Sequence, residues 1–170
     1  TLYLALGSLI ALAGILLLHH QIGAGSFDIL EMTEATRGIN ASTTLEAGAQ
    51  KTTFGLLLFG LGILVGLWPF HTWAPLGYAA APTATAMMHA RVIKKFGLFV
   101  LLRAAIPLLP DGAIYWMPIL AVLALANILH CGLVALRQRD LNLLLGNSSV
   151  AHMGFIFLGL ASLNAIGFTG

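Results

Sequence analysis

Four ionisable residues stand close together in one apolar stretch of this chain: His89, Arg91, Lys94 and Lys95. A lysine or arginine at mid-bilayer costs about 2.5–3.5 kcal/mol on insertion scales, so such residues persist where they face a water-filled path or a partner. On an α-helix at ~100° per residue, Lys95 lies ~40° from Arg91 and Lys94 ~60° to the other side. The three cations therefore share one arc, and His89 points roughly the opposite way. Cations crowded in low dielectric repel, and burial disfavours the charged form. A lysine so placed can load and release a proton, which is what a proton relay requires. Lys95 and Lys94 are the relay candidates, Lys95 foremost. Arg91 holds its proton too tightly to relay and can only set the local field. Snorkelling to the headgroups is the bland alternative; it suits a lysine at a helix end better than one about 12 residues along.

Histidine is the side chain that titrates nearest neutral pH, and three more histidines join the candidate set. His152 lies in Ser148-Ser149-Val150-Ala151-His152-Met153-Gly154, where the serines can line a hydrated cavity. His130 follows Asn127 by three residues on one helix face, and His71 sits in Pro69-Phe70-His71-Thr72-Trp73. Each has a plain alternative as a satisfied buried hydrogen-bonding group. His19 and His20 close a helix and read as interfacial. The histidines are too scattered in sequence to argue for a metal site. Cys131 is the single cysteine, so neither a disulfide framework nor a Cys-based metal site is expected.

The elements that must position these residues are membrane helices. The chain has 170 residues, 59% hydrophobic and only 8% charged, and a mean hydropathy of +0.94. Soluble domains carry roughly 25% charged residues, so a soluble domain and a disordered tail are excluded. The net charge of +2 leaves no basic patch for nucleic acid. Continuous apolar runs, rather than alternating ones, exclude an outer-membrane barrel. The expectation is an all-α polytopic bundle, a single membrane domain over 1–170 with about five membrane helices at 2–18, 54–73, 83–102, 114–136 and 143–166. An acidic loop over 21–53 separates the first two. The second helix is broken by Pro69, which removes a backbone donor, and broken helices recur in ion-translocating proteins. A turn is expected at Pro107, Pro110, Asp111 and Gly112. Arg137 and Arg139 place the 137–140 link in the cytoplasm and the 21–53 loop outside. The chain opens at Thr1 directly in an apolar run with no signal peptide in sight, and it reads as an internal piece of a longer protein.

Several motifs then fall in register. Trp68-Pro69-Phe70-His71-Thr72-Trp73-Ala74-Pro75, Ala81-Pro82-Thr83, Lys95, Asp140 and Ser149-Val150-Ala151-His152-Met153-Gly154 together resemble the antiporter-like proton-pumping subunits of respiratory complex I, of the subunit M type. The Mrp-type cation/proton antiporter subunits are similar too. The resemblance covers about 54–170 by motif, and the first 50 residues by layout only. It implies a fourteen-helix fold of which this chain holds helices six to ten, with the seventh helix broken at Pro69 and His71. It also implies a central lysine at Lys95, a partner histidine at His152, and a polar chain along the membrane midplane that carries protons when quinone is reduced. The resemblance places quinone, flavin and iron–sulfur centres in partner subunits, with no redox centre and no cofactor bound by this chain. Its partners would be other membrane subunits, the lipid bilayer and protons, in a bacterial, archaeal or organelle inner membrane. The sequence departs from the family pattern at Leu64, where a lysine is usual, at Asn142 and Asn147, and at Arg91. The alternatives are an Mrp-type sodium/proton antiporter subunit, a membrane subunit of a hydrogenase-type complex, and a structural subunit that no longer pumps.

Overall fold

The computed structural model describes residues 2–22, 28 and 47–164, apart from the side chains of Ala47, Arg91 and Ile93. Most of the loop expected over 21–53, and the last residues of the expected fifth helix, lie outside the described residues. Every regular element among the described residues is helical. In chain order they are α1 (Leu2–Ile22), α2 (Ala47–Val65), α3 (Trp73–Ala80), α4 (83–108), α5 (Pro110–Arg137) and α6 (Leu141–Ala161). Four of them, α1, α2, α5 and α6, are long and apolar enough to cross a membrane, α2 over Gly48–Val65. The third expected membrane helix corresponds to α4, which is not uniform. Two π-helical turns, His89–Ile93 and Leu101–Ala105, interrupt it, and a third, Asn127–Cys131, interrupts α5. Such turns are rare and gather at functional sites.

Helix α2 is the central element. It packs against α1, α4 and α5, while α6 packs against α3 and α5. Leu58, Leu101, Leu120 and Phe157 meet in the resulting core. Small residues set the spacing. A Cβ at Gly60 would lie 2.5 Å from the Ala11 nitrogen, and one at Gly146 would lie 2.7 Å from Pro75 Cα. Backbones that close hold two membrane helices by packing alone. The outer faces carry exposed Leu9, Phe96, Val122 and Leu133, as a lipid-facing surface does.

Several expected boundaries move: α1 runs on to Ile22, α2 begins at Ala47, α4 runs on to Leu108 and α6 ends at Ala161. Helix α2 ends at Val65, not at Trp73, because Gly66 adopts φ +95°, a left-handed value open to glycine. Pro69 comes three residues later and follows a helix that has already stopped. Residues 73–80, expected as the end of that helix and the start of a connection, form α3. The turn expected around Pro107–Gly112 shrinks to Leu109. There Pro110 opens α5 in a first turn that needs no proline N–H, and Asp111 meets the positive end of the helix dipole. The charged link does cap the last helix: the Asn142 N–H donates to Asp140 Oδ1 at 2.8 Å.

Candidate functional site

The break after α2 frees backbone carbonyls inside the bundle, and side chains from other elements take them up. The N–H groups of Gly66 and Leu67 both donate to the Gly62 carbonyl, at 2.8 and 2.7 Å. That leaves the Ile63 carbonyl, which accepts the Trp73 indole N–H at 2.9 Å. The Gly66 carbonyl accepts from Asn127 Nδ2 at 3.3 Å, and Asn127 also reaches the Val150 carbonyl at 3.5 Å. Non-helical backbone at membrane depth persists only where protein or water satisfies it. Asn127 and Trp73 thus join the break to α5, α3 and α6.

Lys94 lies against this break. Its side chain is fully buried, and Nζ has no hydrogen-bond partner among the described residues. Nζ stands 5.1 Å from the Tyr78 ring centroid and 5.9 Å from that of Trp73. These are cation–π distances. The Gly66 backbone is close enough that a Cβ there would sit 3.9 Å from Nζ. His89 stacks on both rings, at 5.5 Å from Trp73 and 6.0 Å from Tyr78.

The local cause is the π turn immediately before Lys94. In a regular helix His89 and Lys94 would stand ~140° apart; the one additional residue in the turn removes ~100° of that. The histidine expected on the far face and Lys94 therefore meet the same two aromatic rings. Lys95, its neighbour, is exposed. The shared arc expected for Lys94 and Lys95 is divided between two surroundings. Arg91 lies within the π turn by its backbone, and its side chain is outside the described residues.

A second polar group surrounds a cavity of about 430 Å³ bordered by Lys95, Asn142, Ser148, Ser149, His152 and Tyr78. His152 Nδ1–H donates to the Ser148 carbonyl at 2.7 Å, which leaves Nε2 to accept. Tyr78 belongs to both groups. Its ring faces Lys94, and its hydroxyl meets Ser149 Oγ at 3.4 Å. In a third group, buried His71 is T-stacked on His130, with centroids 5.3 Å apart. His130 does not share the surroundings of Asn127, since Asn127 is fully buried and His130 exposed.

The five sequence-predicted site residues thus fall into three groups: His71 with His130, Lys94 among Trp73, Tyr78 and the end of α2, and Lys95 with His152 at the cavity. Tyr78 and Asn127 are additions that sequence reasoning did not assign. Tyr78 carries no signal in the sequence beyond its place after the Pro69 break. Leu64, where a family lysine was expected, is half-buried against the hydrophobic core.

Known proteins agree with this architecture. The family described as NADH:quinone oxidoreductase/Mrp antiporter, transmembrane, matches residues 1–170. An NAD(P)H-quinone oxidoreductase chain 4 of Microcystis aeruginosa is 35% identical over 170 residues, covering 99% of this chain and 29% of the relative. A chain in the structure of respiratory complex I from Thermus thermophilus with bound NADH superposes with a TM-score of 0.82 at 28% identity, over 95% of this chain and 33% of that one. A chain of the Mrp complex from Dietzia shares the fold at a TM-score of 0.81 and 24% identity, over 98% of this chain and 29% of that one. This chain thus spans about a third of the length of these relatives. With its apolar helices, it is an integral membrane protein, and it belongs to the NADH:quinone oxidoreductase/Mrp antiporter transmembrane family.

Proposed function

We propose that this chain is the proton-carrying part of a membrane subunit of an NAD(P)H–quinone oxidoreductase. Quinone reduction elsewhere in the complex would drive protons along the row His130–His71–Lys94–Tyr78–Ser149–His152, with Lys95 serving the cavity end. The observation that carries this reading is Lys94: a fully buried lysine with no acidic partner among the described residues, set against a tyrosine whose hydroxyl leads to a cavity of about 430 Å³. Ionisable groups are kept inside membrane helices chiefly for such work. Leu64 offers no titratable group, so the row is proposed to start at the histidine pair.

The partners in this reading are further membrane subunits of a complex I-like assembly. The redox centres and the quinone site belong to them, and this chain contributes no redox chemistry of its own. The 137–140 link faces the cytoplasm.

The test is donor-driven proton uptake into inverted vesicles that contain the full-length protein in its complex. Uptake in sodium-free buffer that stops when quinone reduction is inhibited supports the proposal. Uptake that needs a sodium gradient and ignores quinone reduction replaces it with the antiporter reading. Quinone reduction with no proton uptake leaves a structural subunit.

A further inference from the structure

The fold brings together three side chains that the sequence keeps apart. The ligand atoms of His71, His130 and Cys131 all lie within 4.8 Å of one another. We propose that these residues form a binding site for a borderline-soft divalent ion of the Zn2+ or Cd2+ class. Two imidazoles and a thiolate are the donors that select such ions over Mg2+ and Ca2+. Tetrahedral Zn2+ with N and S ligands needs donor separations of about 3.3–3.6 Å, from bonds of ~2.0–2.3 Å. Contraction from 4.8 Å is a modest side-chain adjustment, and exposed His130 has the freedom to make it.

Two observations besides proximity point to a ligand. His71 is buried, 5% exposed, yet its Nδ1 has no hydrogen-bond partner among the described residues. A buried imidazole nitrogen left unpaired is costly, and an ion supplies what it lacks. Cys131 is also fully buried, and its thiol makes one long hydrogen bond among the described residues, 4.0 Å from Sγ to Asn127 Oδ1, which a metal-bound thiolate would give up. His130 provides the access side, and the fourth position is left to water. Binding would expel the Cys131 proton to solvent as the thiolate forms.

Such an ion would occupy the histidine end of the row and set a double positive charge near Lys94. It would therefore block proton passage; this consequence rests on the proposed function, whereas binding does not.

The experiment uses the full-length protein in its purified complex. The complex is loaded with Cd2+, freed of loosely held ion by gel filtration, and assayed for metal content beside Cys131→Ser and His130→Gln. The wild type is expected to retain one equivalent of Cd2+ more than either variant, to yield it to Zn2+, and to keep it in excess Mg2+. Equal Cd2+ in all three overturns the site. In vesicles, Cys131→Ser should keep donor-driven uptake. Loss of outer-shell partners alone costs ~10–100-fold in affinity, so its Cd2+ block should move to at least about tenfold higher concentration. A block at the same concentration overturns the inhibitory role.

Discussion

Replacing Lys94 by methionine separates the lysine's charge from its packing. The buried stem keeps an unbranched apolar replacement in the slot between Gly66, Trp73 and Tyr78, so the complex should assemble. No hydrogen bond is lost, because Nζ makes none among the described residues. What is lost is the titratable group that lies against Tyr78 and the end of α2. A charge passing there without that carrier costs at least what a charged side chain costs at membrane depth, about 2.5–3.5 kcal/mol on insertion scales. At ~1.4 kcal/mol per factor of ten, the step slows by at least about 60–300-fold. The assay is the initial rate of dye-reported acidification in inverted vesicles after donor addition, with the amount of assembled complex measured in parallel. Lys94→Arg should fail as well, because arginine carries charge but does not release its proton. An assembled Lys94→Met complex that pumps at the wild-type rate, beside a Lys95→Met complex that does not, would refute the reasoning. The working ammonium would then be Lys95, and the π turn would not set the functional register.

Tyr78→Phe should keep the ring against Lys94 and remove the hydroxyl that meets Ser149; losing one neutral hydrogen bond, worth ~0.5–1.5 kcal/mol, predicts uptake reduced by roughly twofold to tenfold with assembly intact. Gly66→Ala forces a side chain into a left-handed backbone and should lower the stability of the purified protein by about 1–2 kcal/mol, read as a lower melting temperature. Gly48→Ala meets nothing within 4 Å of its Cβ and should be neutral or stabilising by up to ~1 kcal/mol in the same measurement. A cysteine placed at Arg139 in a Cys131→Ser background should react with a membrane-impermeant maleimide from the cytoplasmic face alone, and labelling from the outside would invert the topology.

Hydropathy was enough to read an all-helical membrane bundle, because long apolar runs have few other stable forms. Lysines and histidines inside those runs were also legible, since their cost singles them out. Which lysine faces inward was not. That depends on one additional residue in the turn before Lys94, and a π turn leaves no mark in the hydrophobic pattern. The break was placed at Pro69 because proline is the louder signal, while Gly66, with a proline three residues on, carried the quieter sign of a helix end. Cys131 was set aside as solitary, yet its neighbours His130 and His71 lie one and sixty positions away, and only the fold joins the latter to it. Tyr78 had nothing to recommend it in sequence, because its importance is that it stands between two groups on other elements.

The end of α2 beside Lys94 bears on how the lysine is neutralised. A helix that stops inside a bundle presents its negative pole there, equivalent to roughly half an elementary charge. Gly66 holds that pole within reach of Nζ, and Trp73 and Asn127 fix the carbonyls in place. The ammonium's electrostatic companion is thus a peptide terminus rather than a carboxylate. A carboxylate can itself take up a proton and fall silent, whereas a peptide terminus keeps its polarity at every pH. A lysine paired this way answers to what arrives from its neighbours along the row, not to the protonation of a private acid.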